Sequence, residues 1–382
     1  MVMSQASPKV EYIDLSAKYF LNKYGIDYCV GRRVPLRDMR DADGSRRAGF
    51  EWRRCSAASL ERLVIGSLLS RIELDRPEFL SVRAPLISMT QSILHGSVIV
   101  RFREELRRRI ASLPRAVKFL ERPGAATALS DRKSVAEALR GRAPAIASVR
   151  RAALAECSRR APSGAAEERE ERLRLGAKLL GELDGESLIL MSLSAADSAG
   201  PVADAVLAYA GRMALAEQLS LLLVEFVHVA EKSYFRSMAD HDRYARSHPG
   251  ELQRLLSEPA FRARLVEAGA RRGDAMVLRV SFEDSADGRS EPGRMEIAVR
   301  TKGLIGRDGF AIQGARRDKS VRTTDLESLL KSAARDDEIA DSSLAFYTNF
   351  EKACAKEGIA FVTRVLLDAM KNETTATMRI AV

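Results

Sequence analysis

The alternation of apolar and polar positions divides the chain into four zones. In the first, residues 1 to about 58, aromatic positions (Tyr12, Tyr19, Phe20, Tyr24, Tyr28) give way to a stretch rich in Gly, Arg and Asp from Gly31 to Ala48. The second half of that stretch, Arg40–Ala48, predicts a polar loop. From Ala57 to Leu113, Leu60, Leu63, Val64 and Leu68 recur at helical steps, as do Ile87, Met89, Ile93 and Leu94. Pro77 and Pro85 predict helix boundaries within this run. Pro114 to Gly185 is rich in Ala, Arg and Glu, with breaks at Pro123-Gly124, Pro144 and Pro162-Ser163-Gly164. Short helices joined by turns are expected there, one of them carrying Leu173, Leu175, Leu179, Leu180 and Leu183.

The fourth zone changes character. Ser187–Leu193 is a short apolar run that predicts a buried strand, followed by a small-residue loop at 194–200. Pro201 predicts the start of a helix. A second helix is expected from about Glu217, with Leu221, Leu222, Leu223, Phe226, Val227 and Ala230 as its apolar positions. A polar helical insertion follows at His241–Arg272. Strands are then predicted at Met276–Phe282 and Met295–Val299, joined by a Gly/Ser/Asp-rich hairpin connection at 284–293. An amphipathic helix at Gly358–Met370 and a strand at Thr375–Val382 close the chain. That order predicts a two-layer α/β sandwich with helices over one face of a mixed sheet.

The residues from Ser187 to Phe235, and the boxes downstream of them, resemble the GHKL ATPase domain of histidine kinases and anti-sigma-factor serine kinases. Glu225-Phe226-Val227-His228-Val229-Ala230 is similar to the family's box on its long helix, with Glu225 at the catalytic carboxylate. Val229 stands where the magnesium-binding Asn belongs, and a valine offers no oxygen to a hard cation. The adenine-binding Asp-x-Gly-x-Gly corresponds to Thr301-Lys302-Gly303-Leu304-Ile305-Gly306, with Thr301 for the Asp and Gly306 for a slipped second glycine. The phosphate-binding Gly-x-Gly corresponds to Gly358-Ile359-Ala360 at the opening of the last helix, where backbone N–H groups would meet phosphate. The resemblance covers Glu186–Val382. It implies a sandwich of the GHKL type there; with the helical pattern read upstream, the chain is expected to be α+β, a mostly helical N-terminal half preceding that sandwich. The expected domains are 1–113, a basic connector at 114–185, and 186–382. With the magnesium and adenine positions substituted, it implies a pseudo-ATPase rather than a working kinase. Its cofactor would be none, or ATP bound weakly, and its partner a regulatory protein, as a homodimer or otherwise. An active serine or histidine kinase is the alternative.

Charge adds a third reading. The chain carries a net charge of +10, and Arg101–Arg160 holds 16 Lys/Arg against 6 Asp/Glu, a surplus of 10 that accounts for all of it. Such a segment can neutralise nucleic-acid phosphates, but Phe102 and Phe119 supply few stacking surfaces for bases. Cys29, Cys55, Cys157 and Cys354 lie far apart, which argues against a disulfide framework or a zinc site. His95, His228, His241 and His248 are equally scattered. His95 lacks the acidic neighbour and the downstream Arg-x-Pro of a phosphoacceptor helix. No apolar run reaches the roughly 18 residues that span a bilayer, and the N-terminus lacks a signal-like apolar core. A cytoplasmic location is expected.

Overall fold

A computed structural model describes residues 11–76, 78–160, 166–248, 251–282, 294–305, 321–334 and 338–381. The chain begins with β1 (Tyr12–Ile13), β2 (Ala17–Leu21), α1 (Lys23–Gly31), β3 (Arg37–Arg40), β4 (Arg46–Trp52), β5 (Cys55–Ser56), α2 (Ala57–Ile65) and β6 (Leu69–Arg76). Helices α3 (Arg83–Ala111), α4 (Pro114–Leu120), α5 (Ala125–Ser130), α6 (Arg132–Arg160), α7 (Ala166–Gly181), α8 (Gly185–Leu193) and α9 (Ala195–Ala239) follow. Three shorter helices come next, α10 (Arg243–Ser247), α11 (Leu252–Ser257) and α12 (Pro259–Arg272). The chain closes with β7 (Met276–Phe282), β8 (Arg294–Lys302), β9 (Val321–Thr324), α13 (Leu326–Ala334), α14 (Glu338–Lys356), β10 (Ala360–Asp368) and β11 (Glu373–Ala381). The fold is α+β.

Nine of the described strands form one sheet in the order β3-β4-β2-β6-β7-β8-β11-β10-β9, and β1 pairs with β5 apart from it. Every described pairing is antiparallel, in place of the expected mixed sheet. The join at its centre sets Ile72 opposite Val280 and Leu74 opposite Leu278. The same rows continue to Ile297 and Val299 of β8, then to Met378 and Ala376 of β11. All eight side chains are buried. Burial of a full aliphatic side chain contributes on the order of 1.5–3 kcal/mol, so these rows are a principal apolar core of the sheet.

The opposite face of the sheet is held by charge. Glu73 and Arg279 face each other across the central join, with Arg279 Nε 3.1 Å from Glu73 Oε1. The β3–β4 turn closes over them. Its Ala42 N–H donates to Glu73 Oε2 at 2.8 Å. Asp41 accepts from the Asp43 and Ser45 N–H groups and binds Arg71 at 2.8 Å. Asp43 pairs with Arg279 at 2.7 Å, and that hydrogen bond holds its carboxyl below the usual range. The Asp41 and Glu73 side chains are each only 1% exposed, so their charges are compensated by these arginines and N–H groups.

Several expected elements take another form. Arg40–Ala48 is not a loop throughout: the turn is confined to 41–45, where Gly44 adopts a φ of 86°, and the flanks are strands. Residues 11–76 hold six strands and two nine-residue helices rather than the start of a helical half. Ser187–Leu193 lies in α8 rather than in a strand. An apolar run without periodicity suits either state, and the Asp184 side chain decides it by accepting from Ser187 N–H at 2.7 Å as an N-cap. The loop and two helices expected from 194 onward are one helix, α9, with Pro201 inside its first turns. Pro144 is likewise inside α6. Gly358–Met370, expected as a helix, holds strand β10 instead. Gly358, at φ 67°, follows the end of α14, and Val362, Thr363 and Val365 favour extended backbone. The connection at 284–293 and the Pro162-Ser163-Gly164 break lie outside the described residues.

By length and composition Asp197–Ala239 could cross a membrane, but 67% of its apolar window is buried inside the protein, as befits a core helix.

The chain forms two compact units, one of residues 1–93 and 217–382 and the other of residues 94–216. The first holds the sheet. The second is all helical among the described residues, with Phe102, Leu106, Ile110, Val149, Leu179, Val202 and Val206 in its core. His95 sits within it. Lys178 Nζ lies 3.3 Å from its Nδ1, and a further hydrogen bond joins the imidazole to the Met213 backbone. Burial, with Lys178 and Arg174 adding repulsion, lowers its pKa to about 4.

Two predictions follow from the buried charges. Glu73→Ala strips Arg279 and the Ala42 N–H of their acceptor, and urea denaturation is expected to register a loss of about 3–5 kcal/mol. His95 is favoured neutral in the fold. Its contribution is complete above the unfolded value of 6.5 and is lost as pH falls toward about 4. Between pH 7 and 4.5 the wild-type chain should lose about 2–3 kcal/mol more stability than His95→Gln, measured by urea unfolding at the two pH values.

Candidate functional site

The C-terminal half of α9 is apolar on most of its circumference. Leu222, Leu223, Phe226, Val227, Ala230 and Tyr234 are buried. His228, Glu231, Lys232, Phe235 and Arg236 recur at steps of three and four residues and therefore share one face. That face lines a cleft of about 150 Å³, whose other wall is Leu256 and Ser257 of α11 and Arg262 of α12.

The second wall is fixed by close packing. On α12, Phe261, Leu265 and Gly269 fall one turn apart and are buried. Gly269 lies against the Tyr234 ring: a Cβ there would stand 2.0 Å from the tyrosine oxygen. The Tyr234 hydroxyl donates to the Asp274 carbonyl at 3.2 Å, and burial raises its pKa to about 12. Asp242 caps α10 by accepting from the Tyr244 and Ala245 N–H groups. It also receives Arg264 at 3.2 Å, tying α12 to the end of α9. Pro259 at the start of α12 suits a first helical turn, where an N–H would have no partner. These constraints set Arg262 across from Lys232 and Arg236.

The cleft is cationic. Lys232, Arg236 and Arg262 outnumber the one carboxylate, Glu231, by two, and His228 adds a further charge when protonated. Glu231 is 1% exposed and accepts from the Phe79 backbone N–H at 3.3 Å. Arg236 and Arg262 form no ion pair with any described residue. Phe235 and Leu256 give the cleft an apolar floor. The set can hold one anionic group by charge-assisted hydrogen bonds. At about 150 Å³ the cleft falls below the roughly 300–1,000 Å³ typical of pockets for whole small molecules.

The sequence-predicted site residues lie elsewhere and do not form one ligand site. Glu225 pairs with Arg83 at 3.0 Å. Thr301 is 1% exposed, and its hydroxyl is 3.3 Å from the Ala230 carbonyl and 3.0 Å from the Lys302 carbonyl. Gly303, at φ 91°, lies so close to α9 that a Cβ would stand 2.6 Å from the Ser233 carbonyl oxygen. Two of the expected boxes thus do meet, but as a packed contact between β8 and α9 rather than the walls of a ligand site. Gly306 lies outside the described residues. The third box is displaced. Thr301 is level with Thr374 and Leu367, whereas Ala360 is at the far end of β10, opposite Ala381. Seven residues of strand separate Ala360 from Leu367, about 23 Å. Gly358 closes a helix instead of opening one, so no N-terminal N–H groups are presented there.

Sequence reasoning named His228 but passed over Lys232, Arg236 and Arg262. The four-residue step from His228 to Lys232 to Arg236 on one helix is legible in the sequence as a polar stripe. Arg262, on another helix, is not. Among the described residues no group of three His, Cys, Asp or Glu side chains could hold a metal ion, and the four cysteines are free and buried.

With this geometry, the chain belongs to a family of unknown function (DUF8084), which matches residues 8–382. No curated protein and no solved structure matches it.

The two glycines of the expected nucleotide loops separate packing from ligand binding. Gly303→Ala puts a methyl group against the Ser233 carbonyl at positive φ and should cost about 2 kcal/mol or more. Gly358→Ala, with open space around it, should cost about 1–2 kcal/mol from backbone strain alone. Thermal unfolding of both variants, with and without ATP, checks this: the order should hold and be the same in both conditions.

Proposed function

We propose that this chain is a regulatory binding protein, and that the cleft between α9 and α11–α12 takes one anionic group, a phosphate or a carboxylate, presented by a partner. The observation behind this reading is the pair Arg236 and Arg262. Both line a concave site, and neither forms an ion pair with a described residue. The energetic argument is direct. Like charges gathered around a small cleft repel one another, and an anion there relieves that repulsion while gaining charge-assisted hydrogen bonds. Arginine suits the task, because its planar fork matches the geometry of both oxyanions.

The GHKL resemblance remains a proposal about ancestry. What supports it is the contact of Thr301 and Gly303 with the segment Ala230–Ser233. The positions of Gly358 and Ala360 weigh against a shared phosphate site, and Val229 weighs against magnesium. A pseudo-ATPase that keeps only a docking role accords with this combination better than an active kinase.

The test is titration of the full chain with inorganic phosphate, acetate, ATP and Mg-ATP, each at matched ionic strength, followed by calorimetry and thermal shift. Phosphate or acetate should stabilise the wild-type chain. Arg236→Gln/Arg262→Gln should bind at least about tenfold more weakly, a difference of about 1.4 kcal/mol, with little change in its own unfolding temperature. Equal affinity in the double variant would sink the cleft. Tight binding of Mg-ATP, insensitive to the same substitutions, would restore the kinase reading.

A further inference from the structure

Helix α1 is anchored on one side only. Asn22 caps it, accepting from Gly25 N–H at 2.9 Å and donating through its side-chain amide to the Ser67 carbonyl at 2.7 Å. Gly25 and Cys29, one turn apart, are buried. Gly25 touches the backbone of Leu68 so closely that a Cβ would stand 2.1 Å from its carbonyl oxygen. With that face fixed inward, Tyr24 and Tyr28, also one turn apart, are directed outward, 74% and 44% exposed. The guanidinium of Arg32, a further turn along, lies 4.6 Å from the Tyr28 ring centroid. Tyr24, Tyr28 and Arg32 thus make a continuous exposed row of flat groups.

The surroundings of that row are basic. Lys23, Arg33 and Arg37 are exposed and form no ion pair with any described residue. Between Lys23 and Arg40 the sequence holds two carboxylates, Asp27 and Asp38, and Asp38 is paired with Arg46 at 3.7 Å. This contrasts with the segment Arg101–Arg160, where the sequence alone places the basic surplus. There Arg101, Arg103, Arg107, Arg108, Arg109, Arg159 and Arg160 are engaged by Glu104, Glu182, Glu186, Glu105 and Glu156; the other nine cations form no described ion pair, but the two aromatics, Phe102 and Phe119, are buried and half-buried and offer no exposed π-face. Around α1, exposed π-faces and uncommitted cations occur together, as binding of unpaired bases on a phosphate chain requires.

The geometry points to a single-stranded nucleic-acid platform on α1, in which Tyr24 and Tyr28 stack on bases while Lys23, Arg32, Arg33 and Arg37 take the backbone phosphates. Stacking accepts any base, so little sequence preference is expected. Duplex, whose bases are already stacked on one another, offers the tyrosines nothing. This site is separate from the anion cleft and does not depend on it.

The experiment is fluorescence anisotropy of the full-length chain with labelled oligo-dT and oligo-U of about 15 nucleotides, at roughly 50 and 200 mM NaCl. Binding should weaken with salt. Neutralisation of three or four phosphates gives a log–log slope of about −2 to −3 for a single strand. Tyr24→Ala and Tyr28→Ala should each weaken binding at least about fivefold without lowering the unfolding temperature, since both side chains are exposed. Tyr24→Phe should retain affinity, Arg33→Gln/Arg37→Gln should flatten the salt slope, and Arg236→Gln/Arg262→Gln should bind like the wild type. Absence of binding at the lower salt overturns the proposal. So does binding that both tyrosine-to-alanine variants retain. Equal competition by polyglutamate, with no tyrosine dependence, would assign the row to an acidic protein surface instead.

Discussion

The antiparallel pairing of β6 with β7 joins the two ends of the chain into one sheet, and the architecture around the cleft depends on it. Roughly 200 residues separate these strands, so closing them together costs about 5 kcal/mol of chain entropy beyond a length-independent constant. The cross-strand rows from Ile72 and Leu74 to Met378 and Ala376 offset this on one face. On the other, Glu73 and Arg279 meet across the same join. The β3–β4 turn then covers Glu73, to which the Ala42 N–H donates. A one-residue slip would set Glu73 among the aliphatic rows and the leucines among the arginines, so the buried charge specifies the register as firmly as the apolar core does.

The same sheet positions the candidate cleft. Thr301 and Gly303 at the end of β8 press on α9 at Ala230 and Ser233. Asn372, in the turn between β10 and β11, donates to Ser237 on the same helix at 2.9 Å. With α9 clamped on that side, its next face, from His228 to Arg236, is left for α11 and α12 to cover. They cover it incompletely. Arg236 and Arg262, both lining a gap of about 150 Å³, form no ion pair with a described residue, an arrangement that packing alone does not favour. That imbalance carries the functional reading. On α1, Tyr24 is likewise held outward and buries little area, 74% exposed.

The substituted boxes acquire a physical meaning in this setting. A glycine after a strand is the same sequence signal whether it admits a phosphate or a helix. Gly303 is required because the Ser233 carbonyl occupies the space of a side chain. Gly358 is favoured because the chain turns through positive φ after α14. Both would be retained without any nucleotide, so neither argues for one.

Local signals in the sequence were sufficient for much of the secondary structure. The polar helices around α10–α12, the strand β7 with its stated limits, and most of β8 and β11 follow from periodicity and turn residues. Where local signals were ambiguous, they misled. Ser187–Leu193 is equally apolar as strand or helix until the Asp184 cap is weighed, and the residues after Gly358 alternate in a way that an apolar count conceals. The composition also determined that basic charge is abundant, though not which part of it is available. Availability depends on which carboxylates the fold brings near, and Glu182 and Glu186 reach Arg103 and Arg107 from almost 80 residues away. The sequence by itself therefore determined the elements whose hydrogen bonds close within a few residues. The sheet that unites the chain ends, the burial of Glu73, the arrival of Arg262 at the cleft and the outward turn of Tyr24 and Tyr28 were decided by tertiary structure alone, because each depends on contacts whose partners are too distant in the chain for any local pattern to encode.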